Sequence, residues 1–445
     1  MNSKDLHSIY FVGIGGIGMS ALARYFMSKG IAVSGYDLTC SPLTKQLEQE
    51  GASIHYYDAP ELIPANLDFA VYTPAVPQTL NEMAELRQKG VKLLKRAEAL
   101  GIISHSHHTI AVAGTHGKTT TTAMLSHIAK HSGTDTTAFI GGIANNIGSN
   151  ITLGSSNSLL VVEADEYDRS FLQLSPNISI ITSIDADHLD IYGNIEQLHE
   201  SFNTFAAQTQ DVVICHESIS LNGINNMKTY GIGAHDYAIS DVGYSNGLCV
   251  FNIEHHGHIT HIYLPCYGLH NVMNATAAFA AAYEYGIEEN SIVEALACYK
   301  GVKRRLDVRV NTPQHTYIDD YAHHPEEIRA SITAIRSAFP DRKMTIIFQP
   351  HLFSRTRDFL DDFAEALSLA DNVILLEIYP AREKPIEGIN SSLLLDKIKI
   401  ANKQLCKNET LLDTIRELKP ELLLTMGAGN IDRFVEPIEK MMKTW

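Results

Sequence analysis

The chain contains 445 residues, of which 45% are hydrophobic, and this length predicts about three domains of ordinary size with their own cores. Its 35 Lys and Arg against 51 Asp and Glu give a formal net charge of −16 without a long basic run, which argues against nucleic acid or an anionic membrane surface as the main partner. The 6 cysteines show no C-x-x-C spacing, and neither a signal peptide nor an apolar run of about 18 residues is evident, so we expect a soluble cytoplasmic protein without a zinc site or a disulfide framework.

The first predicted unit opens with a glycine-rich turn between a strand and a helix. The apolar run from Ile9 to Val12 precedes Gly13-Ile-Gly-Gly-Ile-Gly18, a helical stretch covers Met19 to Ser28, and a second apolar run ends at Asp37. This βαβ pattern fits G-x-G-x-x-G, whose glycines place an anionic group against the backbone at a helix start. A UDP-sugar diphosphate and NAD both satisfy it. We favour the diphosphate because an ATP-type loop lies elsewhere, and a packing role stays as the alternative.

The second unit opens with the most informative motif, the segment from Thr109 to Thr122. An apolar run ends in a glycine-rich turn, and Gly117, Lys118 and Thr119 open a helix. Backbone N–H groups at a helix start bind phosphates, a lysine reaches the β and γ oxygens, and a hydroxyl ligates the accompanying Mg²⁺. The strict G-x-x-x-x-G-K-[ST] motif is absent because Val112 occupies its first glycine position. We predict a nucleoside-triphosphate site, and a strand-to-helix turn without a ligand is the alternative.

Later apolar runs of this unit end in acidic residues. Residues 159–162 lead into Glu163, and residues 180–184 lead into a segment in which His188 has acidic neighbours. These neighbours are Asp185, Asp187 and Asp190. Ligands bind at the carboxyl ends of strands in open α/β sheets, so Glu163 is placed to hold Mg²⁺ and His188 to act on a metal or a phosphate. A solvated carboxylate and a structural histidine are the alternatives.

The remaining chain predicts β-prone structure over residues 212–264, a helix over residues 271–285 and then alternating strands and helices. Asn271 and Asn274 share one face of that helix, where paired amides can read the edge of adenine, although Asn271 can equally be a helix cap. Strands spaced by helices imply parallel sheets, so we predict an α/β fold. The predicted domains are residues 1–108, 109–311 and 312–445.

Motifs in order along essentially the whole chain resemble the Mur ligase family. They are Gly114-Thr-His-Gly-Lys-Thr-Thr120, Glu163-Ala-Asp-Glu166, Asp187-His188, His270-Asn-x-x-Asn274, Arg304-Arg305, Asp320-Tyr-Ala-His-His-Pro325, Gln349-Pro-His-x-x-x-Arg-Thr356 and Gly427-Ala-Gly-Asn430. The resemblance implies an N-terminal Rossmann-like domain for UDP-N-acetylmuramate, a central P-loop-type ATPase domain and a C-terminal Rossmann-like domain that closes over the nucleotide and the amino acid. Within the family, Gly13-Ile-Gly-Gly-Ile-Gly-Met-Ser20 is similar to the members that attach L-alanine.

The resemblance also implies a reaction and a set of site residues. ATP drives the joining of L-alanine to the carboxylate of UDP-N-acetylmuramate through an acyl phosphate, in peptidoglycan precursor synthesis, with Mg²⁺ as cofactor. The implied ATP-binding residues are Gly114, Thr115, Gly117, Lys118, Thr119, Thr120, Asn271, Asn274, Arg305 and Asp320. Those for the UDP-sugar are Gly15, Gly16, Gly18, Met19, Ser20, Asp37 and Thr73. Tyr321, His323 and Arg355 match positions near the amino acid and the muramoyl group. The implied metal ligands are Thr119, Glu163 and His188, and the implied catalytic residues are Lys118, His188 and Arg305.

Other activities remain as alternatives at this point. A relative that attaches a recycled tripeptide to UDP-N-acetylmuramate shares the Glu-Ala-Asp-Glu and His-His-Pro segments, so the amine specificity rests on the C-terminal pocket. An NAD-dependent oxidoreductase leaves Lys118 and the acidic strand ends unexplained, and a nucleotide-sensing regulator predicts that Lys118, Glu163 or His188 is lost. Nothing in the sequence requires the carbamylated lysine of several relatives. A monomer and a homodimer are both compatible with the sequence.

Overall fold

The computed structural model describes residues 6–73, 76–77, 79–185, 189–245, 248–381 and 383–445. Within these residues the strands form three sheets, and the described chain divides into two compact units. The first unit comprises Met1–Val242, Val250–Leu264 and Met273–Tyr299, and the second comprises Gly243–Cys249, Pro265–Val272 and Lys300–Trp445. Among the described residues, no helix combines the length and the apolar character that a bilayer crossing needs.

The N-terminal sheet belongs to the first unit and consists of parallel strands. They are β1 (Ser8–Val12), β2 (Ala32–Tyr36), β3 (Ser53–His55), β4 (Phe69–Tyr72) and β5 (Leu93–Lys95), in the spatial order β3-β2-β1-β4-β5. The helices between them are α1 (Ile17–Ser28), α2 (Pro42–Gln49), α3 (Asn81–Gln88) and α4 (Arg96–Ser104). The winding of the chain reverses at β1, and such a switch point opens a binding crevice at the carboxyl ends of the strands.

A second, larger sheet follows along the chain. Its strands are β6 (Thr109–Ala113), β7 (Thr136–Ala144), β8 (Ser149–Thr152), β9 (Leu159–Glu163), β10 (Ile178–Ile181), β11 (Val212–His216), β12 (Met227–Ile232), β13 (Tyr237–Ser245), β14 (Leu248–His255) and β15 (His258–Leu264). Their spatial order is β15-β14-β13-β12-β11-β10-β6-β9-β7-β8, with parallel pairing from β12 through β9 to β7 and antiparallel pairing of β7 with β8. The accompanying helices are α5 (Lys118–His131), α6 (Leu189–Tyr192), α7 (Ile195–Ala207), α8 (Leu269–Tyr285) and α9 (Glu289–Ala297).

The C-terminal sheet lies in the second unit. Its strands are β16 (Asp307–Asn311), β17 (Thr316–Asp320), β18 (Met344–Phe348), β19 (Asn372–Leu375), β20 (Lys403–Leu405) and β21 (Leu422–Met426), in the order β16-β17-β21-β18-β19-β20. Only the pair β16 and β17 of these described strands is antiparallel. The helices are α10 (Pro325–Ala338), α11 (Phe353–Asp358), α12 (Leu360–Leu367), α13 (Ser391–Lys397), α14 (Leu411–Leu418) and α15 (Val435–Met442). Short 3-10 helices cover Pro60–Leu62, Tyr167–Gln173, Asn408–Thr410 and Asn430–Phe434.

Burial explains why central strands such as β6 and β21 are mostly apolar runs in the sequence. Every residue of β6 and of β21 is buried, because helices cover both faces of a parallel sheet. The predicted α/β fold class is therefore confirmed. The N-terminal sheet and most of the second sheet lie in one compact unit, in which Arg24 of α1 donates to the Asn150 side chain of β8 at 2.8 Å. The domain boundary at residue 108 thus does not separate the two units and stays a prediction.

Candidate active site

The N-terminal glycine turn is held by a carboxylate at the end of the neighbouring strand. Gly16 is the N-cap of α1, and the backbone N–H of Gly15 donates to Oδ2 of Asp37 at 2.7 Å. A Cβ atom on Gly15 would lie 2.8 Å from that oxygen, so a larger residue cannot approach it. The other carboxylate oxygen accepts from the N–H of Thr39 at 2.9 Å. Asp37 therefore fixes the shape of the turn.

Two side chains that directly follow β4 and β5 complete the surroundings of this turn. Cγ2 of Thr73 lies 3.0 Å from the position that a Cβ atom on Gly13 would take. Arg96 approaches α1 so closely that a Cβ atom on Gly18 would overlap its guanidinium, and it also forms a 2.7 Å ion pair with Asp165. Arg96 thus brings positive charge to a turn whose backbone is suited to an anion.

Met19 and Ser20 are buried in the first turns of α1, at 2% and 0% exposure. The Ser20 hydroxyl donates to the Ile17 carbonyl at 2.9 Å and accepts from the Asn150 amide at 3.1 Å. In this structure the two side chains therefore pack the start of the helix, and their predicted contact with the UDP-sugar stays a prediction.

The predicted phosphate loop joins β6 to α5 and depends on two glycines with positive φ. Gly114 has a φ of +132° and Gly117 a φ of +82°, both in the region that L-residues avoid. A Cβ atom on Gly114 would overlap the Thr182 hydroxyl, and one on Gly117 would lie 2.5 Å from Oδ1 of Asn274. Val112 is fully buried within β6, and the turn begins only after this strand ends. The position of the motif's first glycine therefore lies in a strand, where the backbone does not require a glycine.

Residues after β10 brace the phosphate loop. The N–H of Thr115 donates to the Ser183 carbonyl at 3.1 Å, and the N–H of His116 donates to the Ser183 hydroxyl at 2.9 Å. The first N–H groups of any helix lack an acceptor within the helix. The N–H groups from Lys118 to Thr120, in the first turn of α5, are therefore the backbone donors that this geometry offers to a phosphate.

Lys118 is held by an ion pair that the sequence analysis did not assign. Its Nζ lies 2.7 Å from Oε2 of Glu166, and it also donates to the carbonyls of Gly114 at 2.6 Å and Thr115 at 3.3 Å. The Lys118 side chain is 14% exposed and that of Glu166 is 1% exposed. An ammonium group has three N–H donors, so these acceptors match its capacity. A phosphate that binds Lys118 must replace one of them.

Thr119 and Glu163 lie together beside this ion pair. The Thr119 hydroxyl hydrogen-bonds the Glu163 carboxylate, whose Oε2 also accepts from the N–H of Gly141 at 2.9 Å. Burial raises the pKa of Glu163, and the nearby charge of Lys118 opposes this shift. A hydroxyl and a poorly solvated carboxylate are oxygen ligands of the kind that Mg²⁺ takes, so these residues fit the predicted metal site.

The third predicted metal ligand, His188, lies outside the described residues, together with Asp187. Asp185, which precedes them, is described: its side chain is 63% exposed, and its N–H donates to the Thr115 hydroxyl at 3.1 Å. The segment after β10 therefore starts next to the phosphate loop. The role of His188 stays a prediction.

Asn271 and Asn274 are both buried near the start of α8, at 5% and 7% exposure. The Asn271 amide donates to the Tyr267 carbonyl at 2.8 Å, and Oδ1 of Asn274 accepts from the Thr121 hydroxyl at 3.2 Å. Asn274 thus connects α8 to α5 and borders Gly117. Contact of these amides with adenine stays a prediction.

In the second unit, Arg305 projects from a tight turn between residues with positive φ. Arg304 has a φ of +62° and Leu306 a φ of +44°, and Arg305 is exposed. The guanidiniums of Arg304 and Arg305 lie 5.1 and 5.4 Å from the ring centroid of Tyr321, in cation–π contact. Asp320 is 6% exposed and accepts from the Ser331 hydroxyl and from the N–H groups of Leu306, at 3.3 Å, and Tyr321, at 2.9 Å. Asp320 and Tyr321 therefore organise the turn that presents Arg305.

Two histidines and an arginine form a second group in this unit. The rings of Tyr321 and His323 are 5.1 Å apart, those of His323 and His351 are 6.1 Å apart, and Nη1 of Arg355 lies 3.5 Å from Nδ1 of His351. Burial lowers the pKa of His323, and burial followed by the charge of Arg355 lowers that of His351 to about 4. At pH 7 the His351 imidazole is therefore neutral, and the lowered pKa of His323 also favours its neutral form. The sequence analysis assigns no role to His351, because a single additional histidine carries no functional signal of its own.

Comparison with known proteins extends over the whole chain. Family models match residues 8–108 as "Mur ligase family, catalytic domain", residues 112–282 as "Mur ligase middle domain" and residues 304–429 as "Mur ligase, glutamate ligase domain". A protein of Flavobacterium psychrophilum named UDP-N-acetylmuramate–L-alanine ligase is 46% identical over 99% of both chains. One of the same name from Cytophaga hutchinsonii is 44% identical over 99% of this chain and 97% of its own.

Solved structures agree with these matches. The crystal structure of a UDP-N-acetylmuramate-alanine ligase from Thermotoga maritima is similar with a TM-score of 0.84 and 29% identity, over 98% of this chain and 99% of that one. That of a murein peptide ligase from Psychrobacter arcticus has a TM-score of 0.69 and 22% identity, over 98% of each chain. At this identity the second likeness concerns the fold alone.

Proposed function

The chain belongs to the Mur ligase family, and from this premise we propose that it is an ATP-dependent ligase that joins L-alanine to the carboxylate of UDP-N-acetylmuramate. The relatives above that are more than 40% identical carry this activity in their names. The single observation that carries the proposal is the grouping of Lys118, Thr119 and Glu163 at one edge of the second sheet. These residues supply the cation and the oxygen ligands that phosphoryl transfer from ATP requires.

The chemistry explains why ATP is needed. A carboxylate cannot expel oxide at neutral pH, so it must first be activated. A carboxylate oxygen of the muramoyl group attacks the γ-phosphorus of ATP, the bond to the bridging oxygen breaks, and ADP leaves. The unprotonated amine of L-alanine then attacks the carbonyl carbon of the acyl phosphate, phosphate departs with the original carboxylate oxygen, and the nitrogen releases a proton to water. The products are the amide, ADP and phosphate.

Lys118 is the residue we assign to the transferring phosphoryl group. Its ammonium stands at the start of α5 beside the backbone donors of the loop, and it can exchange the Thr115 carbonyl, its longest contact at 3.3 Å, for a phosphate oxygen. Glu166 keeps the side chain extended toward the loop during this exchange. A preorganised charge of this kind commonly contributes about 10² to 10³ in rate.

Thr119 and Glu163 are the residues we assign to Mg²⁺, with His188 as the further predicted ligand. When bound, the ion neutralises the charge of the β- and γ-phosphate oxygens. Glu163 is already held in place by the Gly141 N–H at 2.9 Å and by the Thr119 hydroxyl. These bonds orient the carboxylate before the metal arrives.

The first glycine turn is our candidate for the UDP-sugar diphosphate. Asp37 shapes the turn through the Gly15 N–H, so the backbone at the start of α1 is ready for an anion. Arg96, near Gly18, supplies the positive charge that a diphosphate needs. UDP-linked precursors and ATP are metabolites of the cytoplasm, so we assign the reaction to that compartment.

In the second unit we assign Arg305 to the phosphoryl group, Asp320 to the ribose, and Tyr321, His323 and Arg355 to the amino acid and the muramoyl group. The support is the motif resemblance together with the exposed position of Arg305 on its strained turn. The lowered pKa of His323 favours its neutral form, which suits a group that contacts an unprotonated amine.

Phosphate release tests the proposal. The full chain is supplied with ATP, Mg²⁺, UDP-N-acetylmuramate and one amine from a panel of L-alanine, glycine, L-serine and L-Ala-γ-D-Glu-diaminopimelate. We expect release only when all substrates are present, fastest with L-alanine. Equal or faster turnover with the tripeptide would transfer the assignment to the tripeptide ligases. Release without UDP-N-acetylmuramate would contradict the proposal, and Lys118→Met is the inactive control.

A further inference from the structure

Away from the phosphate loop, two helices of the first unit bring two imidazoles and a thiol together. His127 and His131 lie four positions apart on α5 and so share one face, and Cys298 is the C-cap of α9. Sγ of Cys298 lies 3.4 Å from Nε2 of His127 and 3.9 Å from Nδ1 of His131. One ligand atom from each residue lies within 4.8 Å of the others. A tetrahedral zinc ion separates its nitrogen and sulfur ligands by roughly 3.4 to 3.6 Å, so small side-chain movements suffice to close this cluster around an ion.

The surroundings also favour a cation. Nε2 of His131, the nitrogen that does not face Cys298, lies 3.7 Å from a carboxylate oxygen of Glu294. This distance is longer than a hydrogen bond, so the carboxylate acts on the ring through its charge, and a small movement of Glu294 gives the hydrogen bond that orients a metal-bound histidine. His131 is also the last residue of α5, where the partial negative charge of the helix end attracts cations. These features are independent of the distances within the cluster.

Metal binding must change the protonation of two of these three groups. Nε2 of His127 donates to the Ala295 carbonyl at 3.0 Å, because a carbonyl can only accept. For this nitrogen to bind a metal, its proton must be released, and the thiol of Cys298 must lose its proton as well. Metal binding therefore depends on pH and releases protons.

From this geometry we propose that His127, His131 and Cys298 bind Zn²⁺ and that the ion fastens the C-terminal end of α5 to the end of α9. A thiolate with two imidazoles is a ligand set for zinc, whereas Mg²⁺ and Ca²⁺ take oxygen ligands. His131 and Cys298 are exposed, so water can take the fourth position. The usual spacing rules miss this cluster because Cys298 and His131 are 167 residues apart. The expectation of no zinc site rested on those rules alone.

The site is separate from the chemistry of the ligase. It lies at the opposite end of the helix that begins with Lys118, about 20 Å away for a helix of this length. Zinc here therefore stabilises the packing of α5 against α9 and does not contact the nucleotide. The inference stands whether or not the proposed ligase activity is correct.

A Co²⁺ and Zn²⁺ titration tests the proposal. The full-length protein is stripped of metal with a chelator and titrated with Co²⁺, whose bonds to thiolates give a charge-transfer band in the near ultraviolet. We expect this band to appear with one ion per chain and to disappear when Zn²⁺ displaces the cobalt. Cys298→Ser should remove the band. It should also weaken Zn²⁺ binding by more than the roughly 10- to 100-fold that is lost when a residue hydrogen-bonded to a metal ligand is replaced. Glu294→Gln should keep the band and weaken binding by about 10-fold.

Two matched controls keep the result specific. Cys40→Ser removes another exposed cysteine and should leave the band unchanged. His258→Ala disrupts a second cluster, of His255, His258 and Glu289, that has no thiol, and it should also leave the band unchanged. Retention of the band in Cys298→Ser would overturn the proposal, as would wild-type protein that binds neither ion at micromolar concentration. Cobalt binding that shows no thiolate band, and that is lost in His258→Ala, would place the metal at the second cluster.

Discussion

Replacing Lys118 by methionine leaves the carboxylate of Glu166 buried without its cation. Because Glu166 is only 1% exposed and its oxygen lies 2.7 Å from Nζ of Lys118, water cannot take over the role of the ammonium. Breaking a buried ion pair by removing one partner costs about 3 to 5 kcal/mol. Since about 1.4 kcal/mol corresponds to a factor of ten, amide exchange in β6 and β9 should accelerate by about 10² to 10³·⁵ if these strands open together. Hydrogen exchange followed by mass spectrometry of peptides from these strands measures the effect.

A second substitution separates this cost from the loss of catalysis. Glu166→Gln removes the buried charge that has lost the Lys118 ammonium, so the double variant Lys118→Met/Glu166→Gln should recover most of the protection while remaining inactive in phosphate release. Lys130→Met is the matched control, because Lys130 is an exposed lysine on the same helix. Unchanged protection in Lys118→Met, or no recovery in the double variant, would refute the reasoning about the buried pair.

Three further substitutions test the backbone of the phosphate loop, a buried carboxyl group in the second unit and the cation near the first glycine turn. Gly117→Ala must accept a φ of +82° and a Cβ atom 2.5 Å from Asn274, so we expect ATP binding, measured by calorimetry, to weaken by at least about 10-fold. The control Gly133→Ala has a φ of +79° and open space at its Cβ, so it should lose only the roughly 1 to 2 kcal/mol of folding stability that the backbone conformation costs. Equal ATP affinities in the two variants would contradict this prediction. Burial raises the pKa of Asp319 to about 7 in the folded protein, whereas an Asp in the unfolded chain has a pKa near 4. The protonated carboxyl group therefore stabilises the fold fully below about pH 4, and this stabilisation is lost as the pH rises through 7. Urea unfolding followed by the fluorescence of Trp445 should therefore show about 2 kcal/mol more loss of stability between about pH 5 and 7 in the wild type than in Asp319→Asn, and parallel pH profiles would disprove it. Arg96→Gln should raise KM for UDP-N-acetylmuramate by about 10-fold and leave KM for ATP unchanged, because loss of one charged hydrogen bond costs about 1.5 kcal/mol or more. An equal change in both KM values would place Arg96 outside the sugar site.

The strands and helices were predictable because their burial leaves a direct record in the sequence. β6 and β21 are fully buried and appear as mostly apolar runs, and Gly13, Gly114 and Gly117 in the two turns mark backbone conformations that other residues avoid. The grouping of Glu163 with Thr119 also followed from the sequence, because carboxyl ends of parallel strands meet at one edge of a sheet.

Pairings between distant segments were not predictable in the same way. The ion pair of Lys118 with Glu166 depends on how the chain turns back after β9, and the four acidic residues within positions 163–168 do not reveal that turn. Arg96 reaches the first glycine turn only because β5 lies on the same side of β1 as β4. The contact of Arg24 with Asn150 likewise requires two sheets to pack in one unit.

The fate of the carboxylate oxygens tests the central claim most directly. UDP-N-acetylmuramate labelled with ¹⁸O in both oxygens of the muramoyl carboxylate is incubated with the full chain, ATP, Mg²⁺ and L-alanine, and the released phosphate is analysed by mass spectrometry. If the carboxylate attacks the γ-phosphorus and leaves as part of the phosphate, each phosphate carries one ¹⁸O atom, and the other remains in the new amide. Unlabelled phosphate released together with ADP would show that ATP is hydrolysed without an acyl phosphate and would contradict the proposed function.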